Sequence, residues 1–119
     1  MSATDIYSIE MELRTPSYFT LAALIDGPLH GYAMMQRASQ LSSGAVRVST
    51  GTLYSIIDRA LEEGLITVGE AYVVSGRERR DYSLTPAGRS ALQEESERLA
   101  RAARVVGARL RATRTPATQ

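Results

Sequence analysis

The chain contains no cysteine, no tryptophan and no lysine, and only one histidine and one phenylalanine among its 119 residues. Without cysteine there can be no disulfide framework, thiol nucleophile or thiolate zinc site. A single histidine, His30, supplies no histidine cluster, so neither a metal nor a cofactor is expected. With no partner nucleophile in sight, His30 reads as a local hydrogen-bonding or packing residue rather than a catalytic base. No Gly-rich phosphate loop is present either, which sets an enzyme aside. No apolar run approaches the roughly 20 residues that cross a bilayer, and no basic-then-apolar leader opens the chain. The expectation is a cytoplasmic protein without a membrane segment.

What is present is an ordinary globular composition, 44% hydrophobic and 23% charged, in a length that fits one small domain. The net charge is only +1, but its distribution is uneven. Residues 1–64 hold four Arg against seven acids, and residues 65–119 hold ten Arg against six. All fourteen basic side chains are Arg, the residue suited to bidentate phosphate contacts, although codon bias would give the same count.

The elements read in order as follows. Residues 1–14, including "DIYSIEMELR", suit an arm or a short helix. Thr15 before Pro16 marks an N-cap and a first helical position, followed by the apolar Phe19, Leu21, Leu24 and Ile25. A second helix is expected from Leu29 or His30 to Leu41, burying Leu29, Ala33 or Met34, Ala38 and Leu41, and closed by "SSG" at 42–44. Ser49 caps a third helix that stops at Gly64. "LITVGEAYVV", the turn "SGRE" and "RRDYSLT" then form a hairpin. Thr85 caps a final helix over 86–112, and 113–119 form a frayed tail.

In the third helix, "STGTLYSIIDRALEEGLI", Leu53, Ile56, Ile57, Ala60, Leu61 and Leu65 make one buried stripe. The opposite face collects Gly51, Thr52, Ser55, Asp58, Arg59 and Glu62, with small groups in its first turn. In the last helix Leu92, Ser96, Leu99, Ala103, Val106 and Leu110 are spaced 4, 3, 4, 3, 4, a heptad seam. A helix of about 40 Å outruns a three-helix body, so the seam predicts a homodimer with those six residues at its interface. Ser96 and Leu99 could also border an effector pocket, but small residues let helices approach, and packing is the preferred reading of Ser96 and Ala103.

Three helices, a hairpin and a long final helix describe a mainly α fold with a small β-hairpin: a winged helix-turn-helix over 15–85 carrying a dimerisation helix. The second helix of such a motif enters the major groove through its N-terminal residues. Ser49, Thr50, Gly51, Thr52 and Ser55 would there approach bases and phosphates, and the helix N-terminus offers N–H groups to a phosphate. Arg59 is placed to reach the backbone, and Arg77, Arg79 and Arg80 around Glu78 would form the wing tip. Tyr54, at the edge of the buried stripe, fits either the core rim or a phosphate contact. A competing reading, a winged-helix module that binds a protein or ligand without reading DNA, rests on the acidic Asp58 and Glu62 of the exposed face.

"GPLHGYAMMQRASQLS", "STGTLYSIIDRALEEGLI" and "RRDYSLTPAGRSAL" resemble, in order and spacing, the signatures of the PadR family of bacterial transcriptional regulators over residues 15–110. The resemblance implies a winged-helix homodimer, usually a repressor, that binds a palindromic double-stranded operator and is released by a small-molecule effector. It implies DNA-facing roles for His30 and Tyr32 of "HGY" and for Gly51 to Tyr54 of "GTLY". Thr50 stands where relatives commonly carry Pro. Leu99 stands where multidrug-sensing relatives carry a stacking aromatic, so flat-aromatic sensing is not expected here.

Overall fold

The computed structural model describes residues 13–114. Most of the expected arm and tail, residues 1–12 and 115–119, lie outside that range. Among the described residues four helices and five short strands follow one another: α1 (Thr15–Ala22), β1 (Leu29–His30), α2 (Gly31–Leu41), α3 (Thr50–Glu62), β2 (Ile66–Val68), β3 (Tyr72–Val74), β4 (Arg77–Arg79), β5 (Asp81–Leu84) and α4 (Pro86–Ala112). The winged helix-turn-helix order is the one the sequence predicts.

Helix boundaries follow local chemistry. Ser49 Oγ accepts the Thr52 N–H at 3.1 Å and Thr85 Oγ1 accepts the Gly88 N–H at 2.9 Å, so both expected caps are made. At the end of α3, Gly64 adopts a φ of +73° while its N–H bonds to Leu61 O and the Leu65 N–H to Ala60 O. That is a Schellman closure, which turns the chain sharply into β2. α1 begins one residue earlier than expected: Arg14, not Thr15, precedes it, and its carbonyl accepts the Tyr18 N–H at 2.8 Å with no side-chain cap. Leu29 and His30 are not helical but pair antiparallel with Tyr82 and Asp81. The expected hairpin is therefore part of a three-stranded sheet, β1-β5-β2, from which the β3–β4 ribbon projects. Its turn is Ser75–Gly76, both at positive φ, between the paired Val74 and Arg77.

The core joins α1 to α3 with the sheet and the start of α4, through Leu21, Leu24, Met34, Leu53, Ile57, Ile66, Tyr82 and Leu92. Leu13 is buried in it as well. One expected core residue is not there: Leu41, the last helical residue of α2, is exposed. The apolar Ile25 is exposed as well, because α1 stops at Ala22 and the 3.6-residue spacing lapses before it. Thr20 and Ala23 are buried instead.

One junction fixes α4 to the body. Thr85 Oγ1 donates to Gly64 O at 2.7 Å, the Thr85 N–H bonds to Leu65 O at 3.0 Å, and Gly88 lies so close that a Cβ there would sit 2.1 Å from Leu65 O. The Thr and Gly of "LTPAG" are thus explained by a close backbone approach. Beyond this junction α4 leaves the body. Leu92 is still buried in the chain's own core, so it is not free for a second copy, contrary to the six-residue seam read from spacing. From Ser96 onward the stripe is bare: Leu99, Val106 and Leu110 are 41%, 57% and 66% exposed.

Candidate nucleic-acid interface

α3 presents its first two turns to solvent. Thr50, Gly51, Thr52 and Ser55 are exposed, whereas Leu53, Ile57 and Ala60 anchor the opposite face. Ser49 Oγ also donates to Thr52 Oγ1 at 3.1 Å, so these two hydroxyls are held in a fixed relation. A Cβ on Gly51 would have only Ser49 Oγ near it, at 4.0 Å, so nothing within the chain requires glycine there. Its smallness is useful only toward something outside. Arg59, which the sequence places to reach the DNA backbone, pairs with Glu63 at 3.1 Å, one turn on, and stays exposed. Asp58 and Glu62 are exposed.

The second group of residues converges on a cleft of about 460 Å³ between the start of α2, α3 and the wing. It is bordered by His30, Gly31, Tyr32, Tyr54, Arg77, Arg79 and Arg80. Sequence separation hides two contacts that build it. The Tyr54 hydroxyl lies over Gly31, where a Cβ would come within 2.7 Å of it, so the Gly of "HGY" and the Tyr of "GTLY" are halves of one packing contact. This bears on the open reading of Tyr54. Its ring is seated against α2, and 42% of the residue stays exposed beside the cleft.

The other contact joins His30 to the wing. His30 Nδ1 accepts the Ala33 N–H at 3.3 Å, capping α2, and Arg79 Nη1 lies 2.9 and 2.8 Å from the two ring nitrogens. Arg79 is therefore half-buried against His30 rather than standing free at the wing tip, and its Nε has no partner among the described residues. Nor do the three arginines surround the tip, which is Ser75–Gly76. Arg77 and Arg79 lie on the returning strand β4, and Arg80 follows it with Glu78 at 4.0 Å. Arg77 and Arg80 are exposed and carry the cationic edge of the cleft.

Two tyrosines complete the wing and its base: Tyr72, which the sequence reading did not assign, and Tyr82 of the buried strand face. Tyr72 donates to Asp81 Oδ1 at 2.6 Å, tying β3 to the start of β5, and this bond, with slight desolvation and the Asp81 charge, raises its hydroxyl above the ordinary tyrosine range. Tyr82 is raised too, chiefly by burial. The antiparallel register of Tyr72 with Arg79 brings it near Asp81, and no local motif announces that.

The arrangement offers an exposed helix N-terminus with small hydroxyl side chains, and an arginine-edged cleft beside it. Among the described residues there is no cluster able to hold a metal ion, and no helix long and apolar enough to cross a membrane. Residues 20–94 match the family model described as Transcriptional regulator PadR-like family. The chain belongs to the PadR-like family of transcriptional regulators. Over 81 residues, 68% of this chain and 72% of the relative, the regulator is 46% identical to Transcriptional regulator Rv3488 of Mycobacterium tuberculosis. Its fold is similar to that of a PadR family transcriptional regulator from Eggerthella lenta, with a TM-score of 0.67, 23% identity, and 90% and 91% of the two chains covered. It also resembles Bacillus subtilis PadR, solved in complex with operator DNA, with a TM-score of 0.59 and 23% identity, over 68% of this chain and 47% of that one. The chain is thus a transcriptional regulator rather than an enzyme.

Proposed function

We propose that the regulator is a homodimeric repressor that reads a palindromic operator with the N-terminal half of α3 in the major groove of each half-site. The observation that carries this reading is the exposed first turn of α3, where Gly51, Thr52 and Ser55 leave room for base edges beside the cleft edged by Arg77 and Arg80. Tyr32, 57% exposed, and the outer part of Tyr54 border the same cleft and suit backbone phosphates. Ser49 and Thr50 present the helix N-terminus itself to a phosphate. His30 and Arg79 set the wing against α2, and Arg59 plays no direct part while it is paired with Glu63.

The bare stripe of Ser96, Leu99, Ala103, Val106 and Leu110 supports a dimer, because an exposed apolar row of this length on a helix invites a second copy. A small-molecule effector that releases the operator would enter where Ser96 and Leu99 meet that copy, next to a cleft of about 290 Å³ between α1 and α4. Fluorescence anisotropy with DNA from upstream of the regulator's own coding region, against a shuffled duplex at the same ionic strength, tests the reading. Affinity for the upstream DNA should exceed that for the shuffled duplex by about 10³-fold or more, and equal affinities would sink it. A promoter reporter then distinguishes repression from activation.

A further inference from the structure

Charge is divided along the chain at Arg98. Residues 98–119 hold six arginines and no acid, whereas residues 1–97 hold eight arginines against all thirteen acids. The second half of α4 is therefore a cationic rod carried by an anionic body. Arg98 is bound to Glu95, its Nε donating at 2.9 Å. Arg101, Arg104, Arg109 and Arg111 are exposed and make no ion pair among the described residues. Glu97, one turn before Arg101, is taken by Gln93 Nε2 at 3.4 Å instead.

The ordinary uses of basic residues on a helix do not cover this row. The carbonyl end of a helix attracts cations within its last turn, which accounts for Arg109 and Arg111. Arg101 and Arg104 lie about three and two turns before that end. Acid-to-arginine pairs one turn apart neutralise many helix surfaces, but no acid follows Glu97 to make one. Gly107 adds an independent observation. An interior glycine weakens a helix relative to alanine, and a Cβ there would come within 3.3 Å of Arg111 Nη1. The Arg111 guanidinium thus lies back along α4 over the bare backbone of Gly107. On a helical wheel it shares a flank with Arg104, about 100–120° from the Leu99–Leu110 stripe, and Arg101 stands opposite that stripe. A second copy seated on the stripe leaves all three uncovered.

We propose that this flank of α4 binds the phosphate backbone of a second DNA duplex, so that the regulator bridges two segments of DNA. Guanidinium forks match phosphate oxygens two at a time, and like charges gathered without a counterion from their own chain draw a polyanion. Between the arginines the flank carries only Ala100, Gly107 and Ala108, while the exposed Val105 lies on the other side of α4. It therefore lacks the large anchors of a protein interface and the apolar face that seats a helix on a membrane. Phosphates need only charge at close approach.

Position separates this surface from the face of α3. α4 is fixed to the body at Gly64 and Leu65, just past the end of α3, whereas Gly51 and Thr52 lie at the other end of that helix. Arg101 is about 20 Å farther along α4 than Gly88. One duplex at α3 and another along α4 are thus engaged together. The proposal goes beyond the repressor reading and does not need it, since a duplex of any sequence held at α3 anchors the complex.

To test this, a biotinylated duplex from upstream of the coding region is fixed to beads, loaded with the regulator, washed, and offered a fluorescent duplex of shuffled sequence. Wild type should retain the fluorescent duplex. A variant combining Arg101→Gln, Arg104→Gln and Arg111→Gln, which keeps good helix formers in place, should retain about tenfold less through the loss of three phosphate contacts. Its affinity for the upstream duplex alone, read by anisotropy, should stay within about twofold of wild type. Gly107→Ala, which displaces Arg111 while favouring the helix, should lower retention about twofold without lowering Tm, and unchanged retention counts against the seat assigned to Arg111. No retention by wild type would overturn the proposal. So would equal retention by the triple variant, the result expected if the α3 of a second subunit grips the fluorescent duplex. Weakened binding of the upstream duplex in that variant would place the arginines on the same duplex as α3 and overturn the separate surface. Polyglutamate that strips the fluorescent duplex as well as unlabelled DNA does, at equal charge, would reassign the flank to an acidic protein. Equal affinity for upstream and shuffled DNA refutes only the operator reading and leaves the bridging result standing.

Discussion

Replacing Gly88 by Ala tests how α4 is fixed to the body. An added methyl in a helix interior should stabilise by about 1 kcal/mol relative to glycine. At this position its carbon would lie 2.1 Å from Leu65 O and 2.8 Å from Leu84 Cδ1. The first of these is backbone that cannot swing aside as a side-chain tip would, so the first turn of α4 must lift. Overpacking of this kind costs about 1–3 kcal/mol, and lifting stretches the Thr85 N–H bond to Leu65 O and the Thr85 Oγ1 bond to Gly64 O, each worth about 1 kcal/mol. The net expectation is a loss of about 2–3 kcal/mol, or roughly 10 °C in Tm for a chain of this size. Gly51→Ala supplies the contrast, since its methyl meets nothing closer than 4.0 Å. That variant should hold or raise Tm while weakening operator binding. Thermal unfolding followed by circular dichroism, at one fixed protein concentration because a dimer's Tm depends on it, reads both. A Gly88→Ala protein as stable as wild type would refute the close approach and with it the account of the "LTPAG" segment.

Three further outcomes follow from particular side chains. Thr20 is fully buried and its Oγ1 has no partner among the described residues, so Thr20→Val should stabilise by about 1 kcal/mol, and a comparable loss in urea unfolding would mean the hydroxyl is satisfied after all. Arg77→Ala should flatten the slope of log affinity against log salt by about one unit for each phosphate left without its cation, whereas Ser55→Ala should leave the slope and change base preference; the reverse assignment would contradict the placement of the wing. Tyr72 holds its proton above the unfolded tyrosine value near 10, so its contribution to stability is fully present below that pH and is lost as pH rises through the raised folded value. Absorbance titration should accordingly lose one late-titrating tyrosine in Tyr72→Phe, and an unchanged late phase would refute the Asp81 bond.

Much of the fold was legible because it is written in local chemistry. Ser49 and Thr85 precede helices that need an N-cap, Gly64 sits where a left-handed residue ends one, and the stripe from Leu53 to Ala60 repeats at helical spacing. The exposed face of α3 followed from that stripe without further information. What escaped was set by partners distant in sequence. Leu29 and His30 look helical by spacing, and become a strand only because Tyr82 and Asp81 offer hydrogen bonds. Arg79 reads as a free wing cation until the fold carries it across 49 residues to His30. Heptad spacing reports which residues share a stripe and not which surface covers it, so Leu92 groups with Leu99 by spacing although the chain's own core takes it. Gly31 carried no signal of its purpose, because the Tyr54 ring that needs the space arrives from another helix.

Hydroxyl-radical footprinting on the regulator's own upstream DNA tests the central claim most directly, that paired α3 helices read two half-sites on one face of a duplex. The account predicts two protected segments of equal strength, related by an inverted repeat and centred about 10 base pairs apart or a multiple of that, both lost in a Thr52→Glu variant that remains folded and dimeric. A single unpaired footprint, or protection that persists unchanged in that variant, would contradict it.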